Sequence, residues 1–318
     1  MLAAVRFLLP HLLCLSIAPT FGADWVEGRF GTNEFVWGSK GGLLFAIPPS
    51  SFRAREPRGL IRLGYPVLTN GGYDLINFIA IEPIVRGQKG FSELEQSKLD
   101  GVHGKRIWLI SQSATAEKLK VRLGVEAFDN GADVQIDLEQ RSDAPDEILF
   151  ATYATTNSAP LDYCIFTATM GNMIRARELW LNDKVVHAAD LYPAYNDFHF
   201  APHTIFNSDR LLKLPDDSLI AAITTDENDP AATQPFPTSN FWHYRGVKVT
   251  QYWKSPVSAN NSRVTVVVNA RHTYYGSRKE IPHGNAFENF EMRDPFKDGQ
   301  QFIFGITRRT PAELGFRY

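Results

Sequence analysis

The sequence predicts an all-β fold, a large antiparallel two-sheet sandwich of the jelly-roll or supersandwich type with few short helices. Three observations carry this. About a dozen segments alternate apolar and polar residues or concentrate β-branched and aromatic ones, each bounded by Gly, Pro, Asn or Asp. Helical periodicity is nearly absent. No repeated strand–helix alternation exists to build a parallel sheet, so antiparallel strands in two packed layers remain.

The first segment is an address. Residues 1–22 carry one charge, Arg6, ahead of an apolar run over 7–17, and small residues follow before the polar break at Asp24. This is the layout of a secretory signal peptide, with Thr20 and Gly22 as the −3 and −1 residues. The apolar run is too short to span a bilayer. Lipidation at Cys14 wants a small preceding residue, and Leu13 stands there. The expectation is therefore a secreted protein, extracellular or periplasmic. Its mature chain, 23–318, forms a single large sandwich domain without stable membrane insertion. Losing Cys14 leaves Cys164 alone, so no internal disulfide exists and stability must come from core packing.

The strands then follow in order. Segments 35–47, 73–85, 105–112, 119–128, 134–140 and 148–156 come first; 162–169, 178–187, 219–225, 247–253, 263–275 and 301–308 continue the series. In Val134-Gln-Ile-Asp-Leu-Glu every second residue is apolar, so one face is buried and the other wet. Arg263-Val-Thr-Val-Val-Val-Asn-Ala-Arg reads as buried on both faces. Asn182-Asp183 and Asp129-Asn-Gly are turn sequences, and Gly38-Ser-Lys-Gly-Gly reads as a hairpin turn rather than a phosphate loop. Phe91-Ser-Glu-Leu-Glu-Gln-Ser-Lys-Leu-Asp is either a two-turn helix capped by Ser92 or a polar loop over a sheet. The proline-rich stretch 226–240 reads as a long loop, with a domain linker as the alternative, and 48–57 as a second exposed connection.

Composition narrows function. With 318 residues, 44% hydrophobic and 21% charged, the chain can bury a large core. Thirty-three basic against 35 acidic residues give no electrostatic footprint for nucleic acid, which is excluded as a partner. Two cysteines cannot build a disulfide scaffold or a four-thiolate zinc site. No G-x-S-x-G, P-loop, G-x-G-x-x-G or H-E-x-x-H pattern occurs. No cofactor is implied, although a structural calcium ion on scattered oxygen ligands is compatible with the sequence. Asn260-Asn-Ser matches a glycosylation acceptor, a pattern too common to carry weight.

The informative pattern is histidine among aromatics and arginines. The clusters are Tyr192 to His203, with His199 inside it; Trp242-His243-Tyr244-Arg245; Arg271-His272-Thr-Tyr274-Tyr275; and His283 to Glu291. Aromatic faces pack on sugar C–H faces, while Arg, His and Tyr bond hydroxyls and carboxylates. The same residues are ordinary strand formers, so plain core packing competes for each cluster. The expected partner is a polysaccharide or oligosaccharide.

Two chemistries compete. A lyase abstracts the proton beside a uronate carboxylate, with His243 or His272 as base, Tyr274 as acid, and Arg245 and Arg271 offsetting charge. On strands, His243 would share a face with Arg245, and His272 with Tyr274. Trp242, Tyr244, Tyr275, His199 and His203 would bind substrate. A hydrolase needs two facing carboxyl groups; Glu82, ending the apolar run Asn77-Phe-Ile-Ala-Ile, is its best acid, with Glu93 or Glu95 as partner. His199 and His203 have metal-ligand spacing, but Pro202 breaks the helix that spacing needs, so no metal is assigned. Cys164, inside an apolar run, reads as a core thiol. The leading function is thus a carbohydrate-processing sandwich, lyase ahead of hydrolase. A non-catalytic carbohydrate-binding or cell-surface module is the alternative, and a structural assembly protein the third.

Overall fold

A computed structural model describes residues 24–26, 29–30, 34–47, 61–68, 70–92, 105–169, 174–225, 247–256, 263–274 and 278–318. The signal segment 1–22, the connection 48–57, nearly all of the 91–100 helix or loop, the stretch 226–240 and Asn260 lie outside them.

In chain order the strands are β1 (Trp25–Val26), β2 (Arg29–Phe30), β3 (Glu34–Ser39), β4 (Leu44–Ile47), β5 (Ile61–Tyr65), β6 (Asp74–Val85) and β7 (Gln88–Lys89). Next come β8 (Ile107–Ala114), β9 (Lys118–Val125), β10 (Val134–Arg141), β11 (Ala144–Ala154), β12 (Tyr163–Thr169), β13 (Ala176–Trp180) and β14 (Val185–His187). After the short helix α1 (Ala188–Leu191) follow β15 (Thr204–Asn207), β16 (Leu212–Lys213), β17 (Leu219–Thr225), β18 (Thr250–Ser255), β19 (Thr265–Arg271), β20 (Ala286–Arg293) and β21 (Gln300–Thr307).

They form two antiparallel sheets. The first has 11 strands along β1-β3-β4-β5-β6-β12-β20-β19-β15, with β2 on β3 and β7 on β6. The second has 10, along β14-β13-β17-β18-β21-β11-β10-β9-β8, with β16 on β17. The chain is therefore an all-β, two-sheet sandwich. No helix among the described residues is long and apolar enough to cross a membrane.

The core lies between the sheets because each contributes one apolar face at period two. Phe150 and Phe166 meet at 4.9 Å between ring centroids, and Trp253 meets Phe304 at 4.7 Å. Each such ring, fully buried, stabilises the fold by about 1.5–3 kcal/mol. Two polar groups trapped in this layer are paired: Trp253 Nε1 donates to Phe290 O at 2.8 Å, and Asn77 Nδ2 to Gln251 Oε1 at 2.6 Å. Cys164 is buried here, and burial pushes its thiol up to about 12, so it is inert packing.

Local sequence explains most elements. On β10, Val134, Ile136 and Leu138 are buried in the core, as alternation requires. Asp137 on the opposite face is buried too, because Arg122 and Lys120 hold it at 2.6 Å and 2.8 Å. Leu181 N donates to Lys184 O across Asn182-Asp183, closing the β13–β14 hairpin. Gly131, with φ +89°, closes the turn before β10. A second small core on the outer face of the second sheet joins Ile220, Ala222, Tyr252 and Phe316. There the Tyr252 ring lies directly over Gly305, where a Cβ would sit 2.0 Å from the ring.

Three differences matter for the site. The strand expected over 263–275 stops at Arg271. The strand β15 forms where the sequence showed only a His-Phe cluster and its end. Most consequential, β20 was not expected, since Ala-Phe-Glu-Asn-Phe-Glu-Met-Arg carries three charges in eight residues.

Candidate functional site

The site grows from the outer face of the first sheet, the one turned away from the core. Ile79 and Ile81, Phe166 and Ala168, Phe290 and Met292, and Val266, Val268 and Ala270 fill the core. Alternation therefore turns Glu82 on β6, Thr167 on β12, Glu291 and Arg293 on β20, and Val267, Asn269 and Arg271 on β19 to the other face. Register aligns them: Thr167 and Val267 lie opposite Glu291 on either side.

Apart from Val267 these side chains are charged or polar, and all but the part-exposed Arg293 are buried. Glu291 and Thr167 are fully inaccessible, and Glu82 and Asn269 nearly so. Arg293 donates to Glu291 Oε2 through Nε at 2.7 Å and Nη2 at 2.5 Å. Glu291 Oε1 and Thr167 Oγ1 are buried without a hydrogen-bond partner among the described residues. Glu82 is ion-paired with Lys89 on β7. That carboxylate therefore meets an ammonium, and the dry apolar wall expected for a protonated acid is not its surrounding.

His203, just before β15, faces the same cluster. Its Nε2 lies 3.4 Å from Asn269 Nδ2. Asn269 Oδ1 accepts from Asn289 N at 3.0 Å, which fixes the amide so that its N–H points at the imidazole lone pair. Partial burial holds the proton affinity of His203 below the ordinary imidazole range; Glu291 opposes that shift, and Lys89 and Arg293 add to it. The result at neutral pH is an uncharged base beside a buried carboxylate.

The loop that delivers His203 is tied down by named contacts. Tyr192 OH bonds Thr204 Oγ1 and Val268 O, both at 3.1 Å. Asn285 Nδ2 holds Tyr192 O and Tyr195 O, and Ala201 N donates to Ala270 O. Arg271 Nη2 donates to Phe198 O at 2.5 Å while its guanidinium covers the Phe200 ring at 4.8 Å. Phe198 and Phe200 are left 42% and 45% exposed, and Phe91, at 55%, has Lys89 5.0 Å from its centroid. Flat rings backed by cations thus stand on the solvent side of the cluster.

The expected residues separate into three groups. Trp242, His243, Tyr244, Arg245 and Tyr275, like Glu93 and Glu95, lie outside the described residues. Glu82, Arg271, His199 and His203 fall on or beside the outer face of the first sheet; His199 is exposed, its ring 3.9 Å from that of Phe198. His272 and Tyr274 do not share a strand face, because the strand ends before them. His272 is mostly buried, with Nε2 3.6 Å from Glu280 Oε1 and Nδ1 without a partner among the described residues. Tyr274 turns into the core, where its hydroxyl accepts from the fully buried Arg175 at 3.0 Å. Tyr192 is likewise a packing residue.

The sequence reading missed the roles of Glu291, Arg293, Lys89, Asn269 and Thr167. The available signal was Glu291-Met-Arg293, whose two-residue spacing sets opposite charges on one strand face. A depression of about 310 Å³ on the same outer face, between β3 and β6, is lined by Val36, Ala46, Arg62, Gly64 and Asp74. Another of about 230 Å³ sits by Ser255, Asp294 and Lys297. The charged cluster lies outside both. No group of three or more His, Cys, Asp or Glu suited to a metal occurs among the described residues.

No protein-family model matches the sequence, and no curated protein matches it either. A solved structure described as "Crystal Structure Analysis of HI1317" aligns with 89% of this chain and 98% of its own. Its identity is 9% and its TM-score 0.27, too slight a likeness to bear on chemistry.

Proposed function

We propose that the chain is an exported carbohydrate-processing protein that binds an oligosaccharide or polysaccharide on the outer face of its 11-stranded sheet. There His203 performs the acid–base chemistry, and Glu291, paired with Arg293, sets the charge around it. The observation that carries this reading is His203, partly buried on that face with Nε2 3.4 Å from the Asn269 amide and its proton affinity lowered by burial, close enough to the Glu291–Arg293 pair to feel the charge of both.

Proton abstraction, the lyase type, fits better than hydrolysis. A neutral His203 can accept the proton beside a uronate carboxylate; the C–O bond to the leaving sugar then breaks, a C=C bond forms, and the departing oxygen takes up a proton. A hydrolase would need two carboxyl groups free to act across the bond, whereas Glu82 and Glu291 each already hold a cation. The exposed Phe91, Phe198 and Phe200 favour a second reading, a module that binds sugar and does nothing to it.

The test is turnover. Purified protein incubated with uronate polysaccharides should release unsaturated products that absorb in the ultraviolet, and His203→Ala should stop the release. Retained sugar binding with no product on any such polymer would establish the module instead.

A further inference from the structure

The sandwich has four sheet edges among the described strands, and they are not alike. β1, β15 and β14 end their sheets with two, four and three residues. Such short edges offer little to pair with. β8 ends the second sheet with eight. Over Ile107-Trp-Leu-Ile-Ser-Gln-Ser-Ala it holds no charge and no proline, the two devices that usually blunt an edge. Residues 110–114 are all exposed, and Trp108 and Ile110 each keep 42% of their surface in solvent.

Charge is placed only at its ends. Lys105 is occupied by Asp129 at 2.9 Å, and Lys118 by Glu139 at 2.8 Å. Arg106 and Glu117 are exposed and make no ion pair with any described residue; Arg106 lies over Trp108 at 5.8 Å. The basic end precedes the strand and the acidic end follows it. Antiparallel pairing of the strand with its own copy, about a two-fold axis beside Gln112, sets Arg106 of each chain opposite Glu117 of the other. A parallel neighbour would set like charges together. About that axis Ser111 pairs with Gln112, Ile110 with Ser113 and Leu109 with Ala114, so the new ladder spans 109–114 across the bulge at Ile110, where the register with β9 shifts, and the two ion pairs lie at its flanks.

We propose that β8 is a self-association edge, and that two copies of this chain join their 10-stranded sheets through it into one continuous sheet. The dimer leaves the outer face of the first sheet open on both copies, so it is independent of the carbohydrate reading.

Sedimentation velocity on the purified protein tests it. The wild type should sediment as a dimer at micromolar concentration. Ser111→Lys, which puts two ammonium groups beside the axis on an already exposed position, should sediment as a monomer with an unchanged circular dichroism spectrum. Arg106→Glu should raise the dissociation constant about tenfold, since like charges then face each other at both ends, and adding Glu117→Arg should restore it. A monomeric wild type, a dimeric Ser111→Lys variant, or a charge swap that fails to recover would each overturn the proposal.

Discussion

Arg293 delivers two N–H groups to a single oxygen of Glu291, and the other oxygen, Oε1, is buried with no donor among the described residues. The pair is thus half satisfied within the fold. Its arginine anchors the carboxylate, whose charge is felt by His203.

Anchoring makes a stability prediction. Arg293→Leu leaves the Glu291 charge buried and uncompensated, which should cost about 3 kcal/mol in urea unfolding. Glu291→Gln keeps an acceptor for Arg293 and should cost much less. The double variant should recover part of the loss. If Arg293→Leu unfolds at the wild-type urea midpoint, the carboxylate is not held as described.

His203 makes a pH prediction. Burial lowers its proton affinity in the folded state, so below about pH 6.5, where a free imidazole titrates, the unfolded chain takes up the proton first. Stability should therefore fall as pH drops through about 6.5, and level off once the folded imidazole takes up its proton as well. His203→Gln should flatten that limb of the urea-midpoint profile. An unchanged slope would place the imidazole in solvent.

Packing on the opposite sheet gives a prediction remote from the site. Tyr252 lies over Gly305 with its hydroxyl on Glu147 Oε1 at 2.9 Å. Gly305→Ala must displace the ring and should destabilise by about 1–3 kcal/mol, read as a lowered melting temperature. A wild-type melting temperature would show that the ring can move away at no cost.

Legibility from sequence followed the burial of one face. β10 and the Asn182-Asp183 hairpin were readable because their apolar period and turn chemistry are local. β20 was not, because its outward residues Glu291 and Arg293 are opposite charges that pair with each other along the strand, a contact that apolar alternation does not reveal. The site suffered the same way. Glu291 and His203 stand 88 positions apart in the chain, and nothing in either neighbourhood announces the other. Tyr274 shows the reverse error: a tyrosine beside His and Arg looks functional, yet Arg175, 99 positions away, takes it into the core.

The most direct measurement is the turnover rate of a uronate polysaccharide by wild-type, His203→Ala and Glu291→Gln proteins, with binding of the same oligosaccharide followed by calorimetry. The wild type should release unsaturated product, both variants should lose about 10²-fold or more of that rate, and His203→Ala should retain binding. Wild-type turnover by His203→Ala, or neither binding nor product with any acidic polysaccharide, would contradict the proposed function.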